Sequence, residues 1–409
     1  MSGTLERAPY GRRGYRVRAD ALGLALAVAA GWSFGLEAHK PITSPFTFSE
    51  DVLPIVKAQC GACHAPGGVA PMSLLTHTDA VPWAESIRVE LMAGHMPPWG
   101  IQSATGRFRN LQAFSAREMN VLLTWASGGT PPGKPDAPDA AALPQQQWPL
   151  GEPDLTIPLR QAAIADNAQT LDEEFRIPVP ARPLRAVDLL PGTPAIVRRA
   201  TISVRAVVDA RGAGITPERL IALWVPGDHP VALDAGIGFQ VPPTAELIVR
   251  IQYRKTWQYE RKAMTDQSRI GLYFADPGSA EVQVLRAFTP AASEATIRLR
   301  PDPTVFVTTV SEDVRALALY ADPDLSGANT TVIAVRPDGS REELISFRPQ
   351  ADWARRYWFR EPILLPRGTR IEVTADLGED RLLPPAAAST PQPGARSSLS
   401  LALNVLAAR

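Results

Sequence analysis

Gln59-Cys60-Gly61-Ala62-Cys63-His64 is the stretch on which the reading of the chain turns. Two thiols two residues apart, followed at once by an imidazole, form the C-x-x-C-H pattern of covalent c-type haem attachment. The spacer presents both sulfurs to one edge of a porphyrin, where each forms a thioether with a vinyl group. The adjacent imidazole then reaches the iron from the proximal side. A thioredoxin-like dithiol is the main rival, but it has no use for the histidine and expects a βαβ context that this neighbourhood lacks. A zinc site needs further ligands, and the chain has two cysteines in all. With both in this motif, none remains for a disulfide framework. One covalent haem c on Cys60 and Cys63, with His64 on the iron, is the expected cofactor.

The flanks of this stretch carry helix markings. Residues 46–59 offer Ser49 as a cap, Glu50 and Asp51 in a first turn, and Pro54 where a first turn tolerates it. Val52, Ile55 and Val56 supply the apolar face. After His64, the run Ala65-Pro66-Gly67-Gly68-Val69-Ala70-Pro71 reads as a loop. Residues 80–92 predict a second helix stopped by Gly94, and residues 114–127 a third, with Ser115 and Glu118 spaced as a capping box. Three helices around one porphyrin make a sufficient all-α domain over residues 45–130.

The ligand on the far side of the ring must come from Met72, His77, Met92, His95 or Met96. Met96 is the choice, because it follows a helix and precedes Pro97-Pro98, which holds the backbone extended and stiffens the loop. A thioether there raises the iron potential. His64 and Met96 are thus the expected metal ligands. Met92 and Met119 read as core residues and His77 as a solvated loop histidine. Trp83, Trp99 and Trp125 read as core, and Arg88, Arg107 and Arg109 as solvated, with propionate pairing as the alternative.

Ahead of this domain, Arg12, Arg13, Arg16 and Arg18 precede an uncharged, mostly apolar run from Ala21 to Leu36. The run is shorter than the ~20 residues that span hydrocarbon comfortably. Residues 1–44 read as an export signal or an N-terminal membrane anchor. Ala27-Val28-Ala29 offers a cleavage site, and an uncleaved anchor stays open. Both outcomes place the chain in the periplasm, tethered to the inner membrane in the second. The formal net charge is +0 and the pI about 7.0, so no basic footprint for nucleic acid exists.

Residues 131–148 are rich in proline, alanine and glutamine and read as a linker. From Asp154 onward, short runs of valine, isoleucine and aromatics recur between proline and glycine clusters. They occupy residues 201–208, 220–225, 245–253, 268–274, 295–299, 304–310, 314–320, 330–335, 356–359 and 369–375. Many alternate with period two, the pattern of antiparallel sandwiches. Pro337-Asp338-Gly339-Ser340 predicts a hairpin turn, residues 399–406 a closing strand, and Asp172-Glu173-Glu174 a solvated face. The expected fold class is multidomain α + β. An all-α domain is followed by two tandem antiparallel, jelly-roll-like β-sandwiches over residues 149–277 and 278–409.

Several runs add up to a resemblance. Phe46, Asp51-Val52-Leu53-Pro54-Ile55, the C-x-x-C-H, Ala70-Pro71-Met72-Ser73-Leu74, Pro82-Trp83-Ala84, Ile87-Arg88 and Met96-Pro97-Pro98-Trp99 stand in a known bacterial order. This part resembles the monohaem cytochrome c domain, class I-like, that some bacteria fuse to a copper type II, ascorbate-dependent monooxygenase-like module related to peptidylglycine α-hydroxylating monooxygenase. Met264, Asp266 and Ser268-Arg269-Ile270-Gly271-Leu272-Tyr273-Phe274 are similar to the end of that module's first half. Val335-Arg336-Pro337-Asp338-Gly339, Leu344, Trp358 and Leu365-Pro366-Arg367-Gly368-Thr369 are similar to its second half. The resemblance spans about residues 46–376 and implies Met96 as distal ligand, in agreement with the choice made from the residues.

The departures bear on the chemistry. The resemblance implies two copper sites built mainly of histidine, and imidazole is the ligand that suits copper. Its His-His pair falls on Arg198-Arg199 after Pro191-Gly192, its His-Tyr on Gln252-Tyr253, and its His-x-His near residues 320–324, which hold no histidine. His229, in Gly227-Asp228-His229-Pro230, is the one histidine beyond residue 95 and reads as a turn residue. Arginine keeps its proton and repels a cation. Copper is therefore not expected and no catalytic residue is assigned. The expected function is an exported monohaem c-type cytochrome passing single electrons between a redox donor and a redox acceptor, its β module serving for docking or scaffolding. The alternatives are an active copper- and ascorbate-dependent monooxygenase fed by the haem, and a structural haem subunit of a larger membrane redox complex.

Overall fold

Apolar spacing near 3.6 up to residue 127 and near two after residue 154 divides the chain into helices and then sheets. The computed structural model describes residues 43–99, 107–109, 111, 114–134, 147–206, 218–288, 303–321, 325–376 and 400–408. The expected export segment, the strand expected at 295–299 and part of the linker lie outside them.

In the helical part, a π-helical turn, Phe48–Val52, runs into α1 (Leu53–Gln59), with Pro54 in the first turn. The start is fixed by Asp51, whose carboxylate accepts the Thr47 N–H at 2.8 Å. Ser49, expected to cap, instead accepts the Lys134 N–H at 3.0 Å. The helix expected at 80–92 is divided into α2 (His77–Ala80), a 3-10 turn Val81–Trp83 and α3 (Ala84–Met92). Pro82, lacking an N–H, sits in the dividing turn. Gly94, at φ +67°, ends α3. In α4 (Ala116–Ser127) the capping box forms as expected: Ser115 Oγ accepts the Glu118 N–H, and the Glu118 carboxylate accepts the Ser115 N–H at 2.7 Å. Phe48, Val56, Leu74, Leu91, Leu122 and Trp125 are buried together between these helices.

The rest is mostly β, built mainly of antiparallel sheets packed as two sandwiches. In the first, strands Thr170–Pro178, Ala245–Arg254, Val197–Ala206 and Arg219–Trp224 lie in that order. They face a three-stranded sheet of Leu155–Pro158, Arg269–Phe274 and Leu184–Leu190. Ile202, Leu247 and Val249 meet Leu184, Leu189 and Ile270 between them. The second pairs Gln283–Phe288, Ser400–Ala407, Val314–Ala321 and Tyr357–Leu365 with Thr304–Thr309, Arg370–Asp376, Asn329–Val335 and Arg341–Phe347. Full burial of each such aliphatic side chain contributes about 1.5–3 kcal/mol. Leu317, Ala318, Trp358 and Leu406 of the second sandwich pack into the core cluster of the first, closing a seam between the two.

The hairpin turn forms at its expected place. Gly339 takes φ +83°, Arg336 N–H donates to Ser340 O at 2.9 Å, and Asn329–Val335 pairs with Arg341–Phe347. The expected closing strand also forms, but in the middle of its sheet, between Gln283–Phe288 and Val314–Ala321. Asp172-Glu173-Glu174 lies within Thr170–Pro178. There Glu173 pairs with Arg160, and Glu174 with Arg176 and Arg250.

One feature had no signal in the sequence. Phe108, between α3 and α4, leaves the helices and bridges Phe359 of the second sandwich. Its ring is fully buried, stacked on Phe359 at 5.3 Å and edge-on to Tyr357 at 5.8 Å. Arg107 and Arg109 flank it, both exposed as expected, and pair with Glu342 and Asp234 at 2.9 Å each.

Candidate functional site

The C-terminal end of α1 delivers Cys60, whose N–H still bonds Val56 O at 2.9 Å. The chain then turns tightly: the N–H groups of Cys63 and His64 both reach Cys60 O, at 3.0 and 2.8 Å. Glycine is needed within this turn, because a Cβ on Gly61 would lie 2.7 Å from Lys57 O. Gly68 is needed equally, since its Cβ would fall 2.4 Å from Cys63 O. Backbone bonds from Ala70 N–H to Cys63 O and from Leu74 N–H to His64 O close the loop.

Within it, His64 Nδ1 lies 3.3 Å from Met72 O. A carbonyl accepts only from a protonated nitrogen, so this bond places the proton on Nδ1 and leaves the Nε2 lone pair free for a metal. Burial lowers the imidazole pKa and disfavours the charged ring, and the Met72 carbonyl partly offsets this. Cys60 and Cys63 are free, half-buried thiols. Burial pushes both up to about 12; for Cys63 the neighbouring Cys60 adds to this and Arg198 opposes it.

The loop is set against the sandwiches. Cys63 Sγ lies 3.7 Å from Pro226 O. Gly227, at φ +77°, approaches so closely that a methyl there would touch Ala62, Cys63 and Trp99. Arg198 donates to Val69 O, and Gln258 to Pro71 O. Tyr357 OH donates to Trp99 O at 2.9 Å, and the Arg355 guanidinium lies 4.2 Å above the Trp99 ring. Arg355 forms a buried ion pair with Asp228.

The residues weighed for the second axial position are dispersed. Met96 stands on the segment after α3, 40% exposed. His95 is exposed beside Glu90, 3.0 Å away. Met92, expected in the core, is 66% exposed. It shares the outer face of α3 with Glu85 and Arg88, whose Nη1 lies 3.2 Å from its sulfur, while Leu91 takes the inward position. His77 is not a solvated loop residue: its Nε2 lies 2.8 Å from Thr130 O and its ring packs on Phe48 and Trp125. Met119 and Trp83 pack against the helical core, as expected.

A second group of residues meets at the seam. Arg199, on Val197–Ala206, is the cross-strand partner of Gln252. Arg199, at a position where the resemblance implies a copper ligand, and Tyr320, at the start of the segment matched to its His-x-His, line one cavity of about 120 Å³. Arginine, glutamine and tyrosine provide no imidazole there, so these positions do not fit a copper centre. His229 lines a smaller cavity of about 40 Å³ with Asp188, Asp228, Arg356 and Trp358. Burial, with Asp228 nearby, pushes Asp188 up to about 7. Sequence reasoning passed over Asp188, although a lone acid in the apolar run Ala186-Val187-Asp188-Leu189-Leu190 was a visible signal.

No protein-family model matches the chain, and no curated protein does. Among solved structures, a likeness extends to allantoicase, with 10% identity and a TM-score of 0.18 over 56% of this chain and 74% of that one. A Paenibacillus xanthan lyase shares 10% identity at a TM-score of 0.18, over 68% of this chain and 28% of that one. The PBSX exported protein XepA shares 9% at 0.18, over 57% and 89%. At these scores the likenesses carry no inference for this chain.

Proposed function

We propose that this chain is an exported monohaem c-type cytochrome that passes single electrons between redox partners. In this reading residues 45–130 are its class I-like haem domain, and the sandwiches hold the haem loop and dock the partners. The observation that carries the reading is one loop holding two free thiols and a neutral imidazole whose Nδ1 is engaged by the Met72 carbonyl. That donor set fits haem c: Cys60 and Cys63 would hold the porphyrin, and His64 the iron through Nε2. Bound haem supplies a one-electron iron couple, while the protein contributes position, solvent access and field. Met96 is the proposed second axial ligand.

Production in a host competent for c-type maturation tests this. The denatured chain should carry the mass of one haem, and acid extraction should leave the haem on the protein. Cys60→Ala with Cys63→Ala should release it. A mature chain with two unmodified thiols would reject the reading. Methionine ligation predicts a near-infrared sulfur-to-iron band that Met96→Leu removes; its persistence in that variant would reassign the ligand.

A further inference from the structure

The cavity at the seam is not part of the haem loop. We propose that it is a binding site for a small carboxylate with a compact apolar body. Its walls come from both sandwiches, and Leu220, Leu223 and Ala354 give it an apolar lining. Against them stand three polar groups: Arg199, Thr201 and Tyr320. An apolar chamber with a few convergent polar groups is the general form of a small-molecule site.

The charge fixes the ligand's sign. Among the described residues no acidic side chain lines the cavity. Among the described residues Arg199 donates one hydrogen bond, from Nη1 to Ala351 O at 2.7 Å. A guanidinium has five donors in a planar fork, so most of the fork is left for a carboxylate. Arg356 adds a second positive charge behind the wall, 5.1 Å from the Tyr320 ring. Burial lowers its pKa to about 10, still high enough for it to remain cationic at neutral pH.

The volume fixes the ligand's size. A protein cavity of roughly 150 Å³ holds benzene; one of about 120 Å³ is smaller and, with a charged wall, suits a short branched chain with its carboxylate directed at Arg199. A bare inorganic anion would leave the leucine wall uncovered, and a peptide is too large.

Calorimetric titration of the full chain with isobutyrate, and with isobutyramide as its neutral isostere, tests the proposal. Isobutyrate should bind saturably and isobutyramide roughly tenfold more weakly or worse, the worth of a charge-assisted fork. Arg199→Gln should remove that preference. Leu223→Phe, which narrows the cavity while leaving Arg199 in place, should weaken binding with the circular dichroism unchanged. Equal affinity for the two probes, no saturable isobutyrate binding at millimolar concentration, or wild-type affinity in a folded Leu223→Phe variant would each overturn it.

Discussion

Removing the Phe108 ring should cost about 3–5 kcal/mol, the usual loss for a buried aromatic truncated to alanine. Chemical denaturation of Phe108→Ala measures this, and a loss below about 1 kcal/mol would mean that the ring is not an anchor. Asp188 provides a prediction in pH. Its folded-state pKa, about 7, is raised above the unfolded value, so between roughly pH 4 and 7 the native state holds a proton that the unfolded state has lost. Stability from this group is therefore full in acid and declines as pH rises, by up to about 1.4 kcal/mol per pH unit, until the native carboxyl ionises. Asp188→Asn should flatten that slope and be the more stable form at pH 8; an unchanged slope would contradict it. At this scale the Cys60-Cys63-His64 motif was legible because its spacing is itself the chemistry. Met92 and His77 were not legible. The phase of α3 about its axis decides the first, and a carbonyl 53 residues away in the chain decides the second.

Deleting residues 400–408 should do more than shorten an edge. Ser400–Ala407 bonds on both sides, and among the described residues Gln283–Phe288 has no other neighbour in its sheet. The truncated chain should lose the second sandwich's cooperative unfolding and aggregate through two exposed strand edges; a soluble, cooperatively folded product would refute this. The hairpin at Pro337–Ser340 and the capping box of α4 could be read in advance, because turn and cap chemistry is local. Thr170–Pro178 and Arg341–Phe347 could not, because each opens with clustered charge that suppresses a strand signal. The compensation comes from elsewhere: Arg250 meets Glu174, and Arg107 meets Glu342. Pro82 likewise hid a break that the apolar pattern of residues 80–92 carried straight across.

The helical part and the sandwiches are joined by Phe108, the Arg109–Asp234 pair, the Arg198 bond to Val69 O and the Gly227 approach to Cys63. Bonds of that number and burial should make the molecule melt as one body. Far-UV circular dichroism and an absorbance probe on the helical part should give coincident midpoints; a helical part that melts first would refute this. The place of Ser400–Ala407 also has a consequence in time. A ribosome makes roughly 5–20 residues each second, so Gln283–Phe288 waits on the order of ten seconds for the partner that shelters it. For that interval the nascent polypeptide is obliged to remain unfinished, whatever its first three hundred residues have achieved, and a chaperone or a translocation channel has that long to take hold of it.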